Sequence, residues 1–171
     1  MRCSNHGARL KFSATTSKDQ LPQRKGGEAS APGDPPRDRR STAFVNDQLL
    51  SEIVVDAAID VHRSLGGPGL LESVYEEALT FELRTRGHLV ERQVELGILY
   101  KGNRLDSKLR LDMLVERCLI VECKATRTYN TIFQSQALTY LRLSNLRLAL
   151  VINFGEKLVS KGIHRVLNRP A

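Results

Sequence analysis

Residues 110–124 read RLDMLVERCLIVECK, and how this stretch folds back on itself decides the architecture. Leu109, Leu111, Met113 and Val115 recur at every second position, the spacing of a strand with one buried face. A second strand is expected from Cys118 to Ala125. Glu116-Arg117-Cys118 lies between them, so the two runs should form a hairpin. A three-residue loop there sets Asp112 directly opposite Glu122, and opposed residues share a face. A two-residue loop sets Asp112 against Val121 and parts the carboxylates. On either register Glu122 and Lys124 project together while Cys123 points to the other side.

Outward from this hairpin the pattern stays legible. Val90, Val94, Leu96, Ile98 and Tyr100 fall on the even positions of an upstream strand, with Lys101-Gly102-Asn103 as its turn. Before it, Leu49, Leu50, Ile53, Val54, Ala57, Val61 and Leu65 follow helical steps from Asn46. Gly66-Gly67-Pro68-Gly69 ends that helix. A second helix is expected from about Leu70 to Arg86, burying Leu71, Val74, Tyr75, Ala78, Leu79 and Leu83, with Gly87 as its C-cap. Downstream come a helix over Thr131–Leu143, a buried strand from Leu146 to Phe154 and a short strand from Gly162 to Leu167. The order is α-α-β-β-β-α-β-(β), a mixed α/β domain.

Composition narrows the function classes. The 171 residues carry 26 Lys and Arg against 19 Asp and Glu, a net charge of +7 and a pI near 9.6. Such a balance suggests a polyanionic partner, but it is unevenly placed. Residues 1–43 hold nine basic and four acidic side chains, are rich in Pro, Gly and Ser and have no apolar period, so they read as a disordered basic tail. Residues 44–171, the expected folded domain, hold seventeen against fifteen. No apolar run approaches the roughly 18 residues of a membrane span. Three cysteines make no disulfide framework and suit a reducing, cytoplasmic setting.

Chemistry concentrates in Asp112, Glu122 and Lys124. Two carboxylates converging beside a lysine suit a site for Mg2+ or Mn2+, with lysine orienting a water or stabilising transition-state charge. The same spacing also describes a solvated cross-strand ion pair. Cys118 and Cys123 are five apart on a strand and make a poor metal pair. His62 and His164 lack partners at ligand spacing. The glycines at 66, 67 and 69 follow a helix rather than a strand, so they form a helix–helix turn, not a phosphate loop.

Several motifs in order carry a wider resemblance. Gly69-Leu70-Leu71-Glu72-Ser73-Val74-Tyr75 reads G-x-x-E-x-x-Y and precedes Asp112 and Glu122-x-Lys124. Gln136-Ala137-Leu138-Thr139-Tyr140 and Ile152-Asn153-Phe154-Gly155 follow. Over about residues 46–168 the chain resembles the GxxExxY family of small proteins, placed in the PD-(D/E)XK nuclease superfamily. The resemblance implies a single restriction-endonuclease-like domain with a central mixed sheet flanked by helices. It implies that Asp112, Glu122 and Lys124 are catalytic and that Glu72, as in RecB-like relatives, joins Asp112 and Glu122 around Mg2+ or Mn2+. Gln136 and Tyr140 match a Q-x-x-x-Y motif that assists the metal or substrate. DNA or RNA is the implied partner, and a homodimer is compatible. The bland alternatives are a helix-dipole role for Glu72, core packing for Tyr75, and an ordinary half-buried face for Gln136 and Tyr140. The rival functions are a nuclease-fold module that binds nucleic acid or a protein without hydrolysis, and a purely structural interaction protein.

Overall fold

The computed structural model describes residues 39–168, with side chains from Asp47 onward. The tail expected over residues 1–43 thus lies outside the described residues up to Asp38. The first helix, α1 (Arg39–Ser64), already includes residues 39–43. After it come α2 (Glu72–Thr85), β1 (Val90–Tyr100), β2 (Asn103–Val115), β3 (Leu119–Lys124), α3 (Ile132–Ser144), β4 (Leu148–Asn153), a 3-10 turn (Val159–Gly162) and β5 (Ile163–Leu167). Every expected element is present, and the last strand is real.

The sheet order is β1-β2-β3-β4-β5. β1, β2 and β3 run antiparallel as a meander, β3 and β4 are parallel, and β5 returns antiparallel to β4. Parallel strands need a crossover, and α3 supplies it. One face of the sheet packs on α1 and α2 through Val54, Ala57, Tyr75, Leu79, Met113 and Val121, among others. The opposite face packs on α3, with Leu111, Leu114, Ile120, Ala137, Tyr140 and Val151 at its centre. This is a mixed sheet flanked by helices, the expected restriction-endonuclease-like architecture. Among the described residues no helix is long and apolar enough to cross a membrane.

Two helical faces differ from expectation. In α1 the buried line is Leu50, Val54, Ala57, Ala58 and Val61, whereas Leu49 and Leu65 are exposed. In α2 Leu71 and Val74 are exposed and the buried face includes Glu76 and Thr80 beside Tyr75, Leu79 and Leu83. Apolar periodicity locates a helix but not its rotation when polar residues belong inside. The alternation of β1 also stops at Leu96, and Leu99 and Tyr100 are exposed because the β1–β2 hairpin runs on past the core.

A turnover in this hairpin positions the chemistry. Leu111 belongs to the α3-side core but Met113, two residues on, to the α1/α2 side. Val94 and Val90 differ in the same way. Side chains two apart should share a face, so the ribbon twists sharply between the Arg92–Met113 and Val94–Leu111 pairs. Gln93 lies there with φ of 52°, and Asp112 lies between Leu111 and Met113 on the other strand.

Candidate active site

The β2–β3 loop has three residues. Met113 pairs with Val121, Leu114 with Ile120 and Val115 with Leu119, leaving Glu116, Arg117 and Cys118 as the turn. Glu116 and Arg117 adopt left-handed backbone (φ 49° and 56°), and the Cys118 N–H closes the turn on the Val115 carbonyl at 3.0 Å. The register therefore carries Asp112 to Glu122.

Past the Met113–Val121 pair the carboxylates take over the backbone's bonding. Asp112 N donates to Glu122 Oε1 at 3.3 Å, and Cys123 N donates to Asp112 Oδ2 at 2.9 Å. Each acid satisfies the N–H that the ladder leaves on the facing strand. Lys124, at the end of β3, brings its Nζ to 3.7 Å from Glu72 Oε1, 3.8 Å from Asp112 Oδ2 and 3.7 Å from Glu122 Oε2. Nζ also donates to the Cys123 carbonyl at 2.8 Å and lies 5.7 Å from the centre of the Phe133 ring. Three acids from two strands and a helix thus meet one ammonium.

Burial makes the cluster electrostatically tense. Glu122 is only 3 % exposed. Loss of solvation, then the neighbouring Asp112 charge, push its carboxyl up to about 8 despite Lys124. Burial also raises Asp112 and Glu72, each offset in part by Lys124. Burial alone would lower Lys124, but Asp112, Glu122 and Glu72 outweigh it and hold the ammonium above the ordinary lysine range. Cys123 lies fully buried in the core, where loss of solvation pushes its thiol far above normal, so it is no nucleophile.

The G-x-x-E-x-x-Y stretch sets the height of Glu72. Tyr75 Oη donates to the Gly67 carbonyl at 2.7 Å and accepts from Leu70 N at 3.3 Å. Its ring stacks on Phe154 at 4.6 Å and 7°. Tyr75 is core packing, and through its hydroxyl it also fixes the turn that delivers Glu72. Gly69 has φ of 120°, backbone that a side chain would strain.

The Ile152-Asn153-Phe154-Gly155 motif braces Lys124 from the far side. Asn153 is the parallel partner of Lys124 and is fully buried. Its Oδ1 accepts from Thr126 N (2.9 Å) and Gly155 N (3.1 Å), and its Nδ2 donates to the Thr126 carbonyl (2.9 Å). A Cβ on Gly155 would stand 2.2 Å from that carbonyl, so only glycine fits.

Gln136 and Tyr140 share one face of α3, and Gln136 Nε2 donates to Tyr140 Oη. Tyr140 is buried in the α3-side core, and burial raises its hydroxyl, with Glu122 and Asp112 adding to the effect. Gln136 is exposed. Among the described residues neither side chain hydrogen-bonds to an acid of the cluster. His62 is buried beside the Tyr75–Phe154 stack, and His164 stacks on Tyr129 at 3.9 Å.

Sequence reasoning missed Glu76. It is 6 % exposed, one helical turn after Glu72, and its charge raises both Glu72 and Asp112. Arg92 Nε reaches its Oε1 at 3.0 Å, and Gln93 Nε2 donates to both its oxygens at 2.9 and 3.0 Å. The left-handed backbone of Gln93 costs about 1–3 kcal/mol, and it aims this amide at Glu76. The signal available was Glu72-x-x-x-Glu76, two acids on one helix face.

Residues 48–166 match the family model of the PD-(D/E)XK nuclease superfamily. The chain belongs to that superfamily. No curated relative and no solved structure matches it. Membership of the PD-(D/E)XK superfamily implies a nucleic-acid substrate, and its nucleases generally use divalent metals. The donors here, three carboxylates without thiolate or imidazole, suit a hard cation, and their surplus negative charge would be relieved by one. Among the described residues, however, no three acidic, His or Cys side chains stand ready to clasp one ion. The acids close on Lys124 instead.

Proposed function

We propose that this PD-(D/E)XK protein is a metal-dependent phosphodiesterase acting on DNA or RNA, of the GxxExxY type. The observation that supports it best is the meeting of Glu72, Asp112 and Glu122 within 3.8 Å of Lys124 Nζ. Asp112 and Glu122, with Glu72, would hold Mg2+ or Mn2+. When bound, the ion supplies Lewis-acid polarisation of a phosphodiester oxygen and acidifies a water. Glu122, whose carboxyl burial pushes up to about 8, would have to release its proton to serve as a full donor. Lys124 would offer its ammonium to the attacking water or the developing phosphate charge. Glu76, held by Arg92 and Gln93, keeps Glu72 and Asp112 under negative potential, and Gln136 and Tyr140 flank the substrate from α3. The buried Cys123 thiol suits a reducing compartment.

Purified protein with Mg2+ or Mn2+ should cut a nucleic-acid substrate. Asp112→Asn and Lys124→Ala should each lower the rate by at least about a thousandfold, with folding checked by circular dichroism. Cutting that survives both changes sinks the assignment. One observation favours a second possibility, a binding module without hydrolysis: Lys124 already pairs with all three acids. That module would bind nucleic acid without metal and tolerate loss of Lys124.

A further inference from the structure

The β1–β2 hairpin outruns the sheet that carries the site. β3 pairs with β2 only over Met113–Val115, while β1 follows β2 to the tip, where Tyr100 pairs with Asn103. Every residue from Leu99 to Lys108 is exposed. The tip turn is Lys101-Gly102, both with positive φ (49° and 80°), the two-residue turn whose twist suits a hairpin. A two-stranded ribbon wet on both faces is marginal by itself, so packing does not explain it.

Its charge singles it out. Residues 95–110 carry Lys101, Arg104, Lys108 and Arg110 against Glu95 and Asp106, an excess of +2. Residues 44–171 as a whole hold seventeen basic against fifteen acidic side chains, the same excess of +2. The rest of the domain is neutral on balance, and the cations in surplus sit on the arm. Lys108 is tied to Glu95 at 2.6 Å, whereas Lys101 lies over the Tyr100 ring at 5.5 Å and Arg104 lies against Gly97. The register slips between Gly97 and Leu99, a bulge that adds twist.

We infer that this ribbon is a nucleic-acid arm that lies along a duplex and contacts its phosphates through Lys101, Arg104 and Arg110. The inference rests on the nuclease reading for its choice of partner and narrows the substrate to a double helix. A ribbon of two strands fits a major groove about 12 Å wide. The arm continues the strand that carries Asp112, so Gly102 lies ten residues from it, roughly 34 Å along an extended strand. That is about one turn of duplex. The substrate should therefore need about one turn of double helix on the arm's side of the cut.

The test uses the full chain and a triple variant, Lys101→Gln with Arg104→Gln and Arg110→Gln. Duplex affinity is measured from 50 to 200 mM salt, alongside hydrolysis of a small phosphodiester that cannot reach the arm. Three lost phosphate contacts lower the salt slope by about 2.7, so the wild type should lose roughly 40-fold more affinity across that range than the variant. Small-substrate hydrolysis should be unchanged, and on duplexes trimmed to half a turn on the arm side the difference in salt slope should shrink to about 0.9, the share of Arg110, which lies only two residues from Asp112. An unchanged salt slope overturns the arm, as does an altered oligomeric state with duplex binding intact, which would make the ribbon a contact between copies. Absence of small-substrate hydrolysis in the wild type counts against the nuclease reading alone. Arm-dependent duplex binding would still stand.

Discussion

The fork between β2 and β3 and the brace at the end of β4 lie on either side of Lys124, and they are built on opposite principles. In the fork, Asp112, Glu122 and Glu72 share one ammonium, and burial drives their carboxyls upward. In the brace, Asn153 is equally buried, yet both ends of its amide are bonded and nothing there is charged. The Tyr75–Phe154 stack beside it is likewise neutral, its hydroxyl tied to Gly67. A buried polar group that is fully paired holds the fold, and a buried acid that shares its counter-charge keeps a capacity for chemistry. The difference teaches that rigidity and reactivity are supplied here by neighbouring but separate residues.

The largest effect that would sharpen this contrast comes from pH. Glu122 binds its proton more tightly in the folded chain, with its pKa raised from 4.5 to about 8. Unfolding between those values therefore releases a proton, so stability should fall as pH rises from about 4.5 to about 8 and then level off. Glu122→Gln should flatten that slope and stabilise the metal-free protein at pH 8, on the order of 4 kcal/mol. Chemical denaturation at pH 5 and pH 8 measures it. Mg2+ or Mn2+ should restore wild-type stability more at pH 8 than at pH 5, with proton release on binding, and should do little for the variant. A flat wild-type profile would break the contrast.

Gly155→Ala comes next. The new Cβ meets the Thr126 carbonyl at 2.2 Å, backbone that cannot swing aside, so the loss should reach about 3 kcal/mol. It should be the same at pH 5 and pH 8, because no titrating group is involved. A loss confined to high pH would show that the brace and the fork are one unit. Tyr75→Phe is the smallest, about 1–2 kcal/mol for the two hydrogen bonds its hydroxyl makes. It should also lower the affinity for Mg2+ at the fork, since the Gly67 turn sets Glu72. Titration calorimetry would detect that.

Much of this was legible before any coordinates. The period-two runs and the short polar stretch between them located the hairpin, and a three-residue turn was the condition for Asp112 to oppose Glu122. That condition is met because a tight hairpin is local: its loop length alone fixes the pairing. Glu72 was legible through its motif. Glu76 was not, because an acid on a helix reads as solvent-facing until Arg92 and Gln93 arrive from a strand more than fifteen residues away. The exposure of Leu71 and Val74 was missed for the same reason, since the rotation of α2 follows what packs beneath it. Asn153 and Gly155 were visible as a motif without a role. Their role depends on the close approach of two strand ends.

The sequence by itself determined the elements and their order, since each follows from periodicity and short connections, and it reduced the Asp112–Glu122 pairing to a choice between two loop lengths. It also placed the surplus of positive charge outside most of the folded domain. Only the tertiary structure decided that the β2–β3 turn has three residues, that four acids cluster with Glu76 and Glu122 buried, that Lys124 stands among three of them, and that the β1–β2 ribbon extends beyond the core. The physical reason is that local patterning chooses secondary structure, while desolvation and charge pairing depend on which surfaces the packed layers exclude from water.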